Sequence, residues 1–259
     1  MDRPFYTPII LCALAFTDLC TGLITQPFYV AAELICLGKL QENSGQLPFL
    51  LFARSISEAC GTYFLSLTTA LITLMSIERW LHMTRRSLLT VRRSCLIMAV
   101  MSLLLIPVVV FRLLNVFEKA DRSISDAVLV ILLLFCLITT PIAYFKVFQV
   151  IHRHQRQIQV NGLCQTFGQS AINLAKFKKT VFSILYILAI FYFCFIPFLV
   201  YAGFVSSGKH PEFEQLVFHV ASIFLLLSPA VNPYVYIWRM NDVRNGVKQL
   251  VKQLLCKEN

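Results

Sequence analysis

The stretch YTPIILCALAFTDLCTGLITQPF, residues 6–28, decides the fold. It is a run of over 20 mostly apolar residues with one charged side chain, Asp18, near its centre. At about 1.5 Å of rise per residue, about 20 residues in a helix cross the ~30 Å hydrocarbon core of a bilayer. Backbone placed there has no water to bond to, so it must be helical. Five further runs of this kind follow, giving spans over about 6–28, 55–77, 95–112, 127–150, 181–204 and 216–238. The whole chain fits this reading, with 58% hydrophobic and only 14% charged residues in 259. A soluble domain carries about a quarter of its residues charged. The fold class expected is therefore all-α, a polytopic transmembrane helical bundle forming a single domain over 1–259.

Charge sets the orientation. Of the 23 Lys and Arg residues, 17 lie on the side holding both termini and the 79–93, 146–179 and 239–257 segments. Six lie on the other side: Lys39, Arg54, Arg112, Lys119, Arg122 and Lys209. The positive-inside rule makes the first side cytoplasmic, with both termini inside. The basic residues sit between spans rather than along one groove interleaved with aromatics, which argues against nucleic acid as a partner.

Polar groups at membrane depth are costly and therefore informative. Asp18 sits in Leu14-Ala-Phe-Thr-Asp18-Leu19, where it either is satisfied by neighbouring helices or serves an ion-linked switch. Asn232-Pro233 lies late in the last span with Tyr236 one turn on, and Pro197 interrupts the preceding span after Cys194-Phe195-Ile196, with Phe191 one turn earlier. Each proline removes a backbone hydrogen bond and kinks its helix. The second span ends in Glu78-Arg79-Trp80, either a snorkelling anchor or a neutralised arginine held for a cytoplasmic partner.

Taken together, Asp18 in its Leu-Ala-x-x-Asp-Leu setting, Glu78-Arg79-Trp80, Tyr144-Phe-Lys-Val-Phe148, Cys194-Phe-Ile-Pro197 and Asn232-Pro-Tyr-Val-Tyr236 resemble the motifs of rhodopsin-like (class A) G-protein-coupled receptors. The resemblance covers nearly the whole chain, with the motifs in order and on the right helices. It implies a plasma-membrane, multi-pass receptor, not an enzyme. A small extracellular ligand would drive activation of a heterotrimeric G protein. It further implies that Glu78, Arg79, Trp80, Tyr144, Phe191, Phe195, Pro197, Asn232, Pro233 and Tyr236 form the activation switch. Asp18, Thr68, Ser228 and Asn232 resemble the family's sodium pocket, although Pro229 replaces one of its hydroxyl residues. No other cofactor is implied.

The departures carry information too. In this alignment the first span matches the family's second helix, so a first helix is absent and an incomplete sequence is expected. Arg54 stands where a disulfide cysteine is usual, Val110 to Asp126 holds no cysteine, and Cys136 replaces a fifth-helix proline. These losses place the chain nearer the melanocortin, cannabinoid and lysolipid branch than the amine receptors. Gly61 stands where amine receptors carry their ammonium-binding Asp, which favours a peptide or lipid-like ligand. The acidic latch for Arg79 is missing, with Phe177 and Lys178 near that level. Residues expected around a ligand pocket are Phe28, Arg54, Glu58, Gly61, Thr62, Phe195 and Tyr201, with Tyr29, Tyr63, Phe64 and Phe204 as further aromatics. Arg54 and Glu58, one turn apart, either pair with each other or meet a charged ligand.

Beyond the last span, Val243, Val247, Leu250, Val251, Leu254 and Leu255 share one helical face over about 241–255, with Arg244, Lys248 and Lys252 forming a basic stripe. This is the pattern of an amphipathic helix lying on the lipids of the inner leaflet, with Cys256 a palmitoylation candidate. Two other readings stay open: a non-signalling truncated receptor, and a small transporter or channel. The latter predicts an internal repeat and further charges along a path, and the sequence shows neither.

Overall fold

The computed structural model describes residues 7–37, 47–84, 90–118, 123–160, 181–182, 185–201, 211–239 and 241–255. Apart from Thr90 and the pair 181–182, these form eight α-helices and one π turn. They are α1 (Thr7–Cys20), the π turn (Thr21–Thr25), α2 (Gln26–Leu37), α3 (Leu47–Thr84), α4 (Val91–Glu118), α5 (Ser123–Val160), α6 (Leu185–Tyr201), α7 (Pro211–Arg239) and α8 (Asn241–Leu255). Five helical segments among the described residues are long and apolar enough to cross a membrane: Ile9–Ile35, Pro48–His82, Arg92–Phe111, Leu129–Arg153 and Leu216–Val235. The expected span over 181–204 is described as the apolar helix α6, about 25 Å long at ~1.5 Å per residue. Among the described residues there is no strand.

The helices outrun the apolar runs seen in the sequence. α3 has 38 residues, about 57 Å, nearly twice the ~30 Å hydrocarbon thickness. Apolar runs mark only the part of a helix inside hydrocarbon; its ends continue among headgroups and water, where polar residues extend it equally well.

The chain divides into two compact units, Met1–Gln155 and Arg156–Asn259. In the first, α3 is the centre. Its stretch Ser66–Ser76 is buried at every position, and the π turn, α1, α2 and α4 all pack on it. α1 and the π turn together point Ile10, Leu14, Thr17, Asp18 and Thr21 inward and Phe16, Leu19 and Leu23 outward. α4 packs on α3 along one side and leaves much of its apolar surface outward: Leu103 and Leu104 are 63% and 68% exposed. Apolar surface of that extent is costly in water and costless against lipid tails, so it fits a membrane span.

Pro27 explains the break in the first span. It has no N–H, and its ring would clash with the carbonyl of Leu23 in a regular helix. One wider turn over Thr21–Thr25 absorbs the misfit, and the Gln26 N–H donates five residues back to the Thr21 carbonyl. That turn is pressed onto α3. A Cβ added to Gly61 would lie 3.2 Å from Thr25 Cγ2, and the Ser57 hydroxyl donates to the Thr25 carbonyl at 3.4 Å. Ala53, Ser57 and Gly61 recur every fourth residue, the small-residue spacing that lets membrane helices approach closely.

In the second unit α7 carries Pro229 and Pro233 in its interior, and α8 follows directly.

Candidate functional site

Each intramembrane hydroxyl must find an acceptor without water. Most use the carbonyl one turn back, as Thr69 does to Leu65, Ser76 to Ile72 and Thr21 to Thr17, at 2.7, 2.7 and 2.8 Å. Some also bridge helices. Thr17 lies 3.1 Å from Thr68, joining α1 to α3 beside Asp18, and Thr73 lies 3.0 Å from Thr140, joining α3 to α5. The Tyr63 hydroxyl bonds Ser102, joining α3 to α4.

At the far end of α3 the Glu78–Arg79 pair is enclosed. Arg79 is 1% exposed and Glu78 2%, with Arg79 Nε 4.0 Å from Glu78 Oε2. Neighbours at i and i+1 on a helix point in different directions, so burying both requires packing around much of α3 at this level. Tyr144 of α5 is also buried; it lies beside Ser76 and within electrostatic reach of Glu78 and Arg79. The first unit thus brings together three of the residues expected in the switch. Trp80 is half-buried on the next position of α3. Taking a guanidinium out of water is expensive, and a carboxylate at 4.0 Å offsets only part of that. At this helix end the cost of burying the guanidinium and the attraction of Glu78 therefore oppose each other.

The other end of α3 carries Arg54 and Glu58, paired at 3.0 Å with Arg54 62% exposed. Of the two readings the sequence left open, pairing with each other is the one observed. Phe28 sets its ring edge against Phe52, with centroids 6.1 Å apart. Gly61 and Thr62 are half-buried one helical turn below Glu58. Gly61 receives the π turn, so its lack of a side chain has a packing reason. Tyr63, grouped with the pocket aromatics, is tied to α4 through Ser102.

The second unit holds an aromatic run. Phe191 and Phe195 are stacked 5.7 Å apart and buried; Phe195 meets Phe198 at 5.4 Å, Phe198 meets Tyr201 at 6.2 Å, and Tyr201 meets Phe218 of α7 at 5.2 Å. Pro197 lies within this run and frees a carbonyl of α6. Phe198 and Phe218 were missed in the sequence, although positions 191, 195 and 198 already show the helical i, i+4, i+7 spacing. On α7, Ser228 and Asn232 are buried, Pro233 is exposed, and the Tyr236 side chain lies outside the described residues. Cys256, Phe177, Lys178 and Phe204 also lie outside them. Asp18 and Thr68 are buried in the first unit. Among the described residues no group of three or more His, Cys, Asp or Glu is placed to hold a metal. On α8, Arg244, Lys248 and Lys252 are exposed.

A family model described as "7 transmembrane receptor (rhodopsin family)" matches residues 5–236. Among curated proteins, the chain is similar to adenosine receptor A2b of Gallus gallus, 28% identical over 118 residues. That alignment covers 44% of this chain and 32% of the relative, so the match spans about a third of the relative's length.

Proposed function

The chain belongs to the rhodopsin family of seven-transmembrane receptors, and we propose that it converts binding of a small extracellular ligand into activation of a heterotrimeric G protein. The observation that carries this reading is the enclosed Glu78–Arg79 pair beside Tyr144, at the end of a helix long enough to cross the bilayer. In the described arrangement Arg79 is inaccessible to a cytoplasmic partner. Activation is then the movement that uncovers it, and the ligand acts by binding the uncovered form more tightly. Phe191, Phe195 and Pro197 provide the pivot in α6, and Asn232, Pro233 and Tyr236 a second one in α7.

The protein sits in the plasma membrane with its basic segments inside. α8 lies on the inner leaflet, its basic stripe toward anionic headgroups. Gly61 offers no carboxylate to an ammonium, which supports a peptide or lipid-like ligand over an amine. The relative's name makes adenosine an early compound to test as well. Asp18 would supply a carboxylate, and Thr68 a hydroxyl oxygen, to a sodium ion that favours the resting form. The test is guanine-nucleotide exchange by purified G proteins on membranes carrying the chain. Exchange above background that Arg79→Ala abolishes supports the reading; no difference between parent and Arg79→Ala under any ligand overturns it.

A further inference from the structure

The hydroxyl pair between α3 and α5 holds more contacts than protons. Thr73 Oγ1 lies 2.8 Å from the Thr69 carbonyl and 3.0 Å from Thr140 Oγ1, and Thr140 Oγ1 lies 2.8 Å from the Cys136 carbonyl. Three contacts share two hydroxyl protons. The threonine that donates across the gap shares its proton between the facing hydroxyl and the carbonyl of its own helix, so parting the helices loses a contact and gains none. Both threonines are buried. Three residues further along α3 and four along α5, Ser76 and Tyr144 lie side by side, and Arg79 is the next turn.

We propose that Thr73 and Thr140 are positioning residues that hold α5 on α3 one turn before Tyr144, and so keep Tyr144 packed over the Ser76–Arg79 segment. The signalling consequence rests on the receptor reading above; the positioning itself does not. Thr→Val is the sharp perturbation. It keeps the shape, removes the cross-helix bond, and leaves the remaining threonine its own-helix carbonyl, so no buried group is orphaned.

The test uses the full chain in lipid nanodiscs, as parent, Thr73→Val, Thr140→Val, the double Val variant and the Thr73→Ser/Thr140→Ser pair. Hydroxyl-radical footprinting reads oxidation of Tyr144, with Tyr63 as internal control. Basal nucleotide exchange is measured in parallel. Loss of one neutral hydrogen bond is worth about a fivefold population shift. Each Val variant is expected to raise Tyr144 oxidation about fivefold, the double variant no further, and the Ser pair not at all, with Tyr63 unchanged. Exchange should rise in step. Tyr144 oxidation at the parent level in both single variants overturns the proposal, as does an equal rise at Tyr63, which marks general loosening. Tyr144 oxidation that rises while exchange stays flat supports the positioning and counts against the receptor reading.

Discussion

Replacing Glu78 by Gln tests whether the enclosed arginine is held shut by charge. The two groups lie 4.0 Å apart and are almost fully buried. Unit charges at that separation attract by about 4 kcal/mol at an effective dielectric near 20, against about 1 kcal/mol in water. The attraction between the pair is therefore about 3 kcal/mol stronger in the closed form than with Arg79 in water, set against the cost of burying both charges. Gln keeps the size and a carbonyl dipole but loses the charge, so we take half of that difference, about 1.5 kcal/mol, as the shift. This corresponds to about tenfold more of the uncovered form. Two assays read it independently. Dicarbonyl modification of Arg79, followed by mass spectrometry, should speed up about tenfold, and basal nucleotide exchange should rise in parallel. Glu78→Asp keeps the charge and should stay within about threefold of the parent on both. If Glu78→Gln leaves both readouts at the parent level, the pair does not govern access to Arg79 and the reasoning fails.

Three other predictions follow from separate features. Sodium should lower basal exchange in the parent but not in Asp18→Ala; equal sensitivity removes Asp18 from any ion site. Gly61→Val should cost about 1–3 kcal/mol by overpacking against Thr25, seen as a lower melting temperature in detergent, and Thr25→Ala should restore part of it. A peptide spanning Asn241–Leu255 should become helical on vesicles containing anionic lipid and stay unfolded on neutral ones at 0.15 M salt, since its exposed face is basic; equal helicity on both would show that charge is not what docks it.

Much of the architecture is legible in the sequence because the bilayer imposes a length and a solvent on every span. Asp18 on the inward face of α1 and the i, i+4 pairing of Arg54 with Glu58 follow from helical periodicity alone. Features that depend on which helices are neighbours are not legible in this way. Thr17 and Thr68, or Thr73 and Thr140, are ordinary back-bonding threonines until the packing sets them side by side. The bond between Tyr63 and Ser102 likewise depends on α4 lying opposite that hydroxyl. Gly61 shows the limit from the other direction. Its missing side chain suggests something about the ligand, yet the π turn before Pro27 gives it a packing role as well.

The most direct test of the central claim is nucleotide exchange on a panel of purified G proteins by the full chain in nanodiscs, parent against Arg79→Ala at equal protein. The account predicts exchange above background for at least one G protein in the parent, raised by Glu78→Gln and abolished by Arg79→Ala. Exchange that is the same in parent and Arg79→Ala across the whole panel would contradict it.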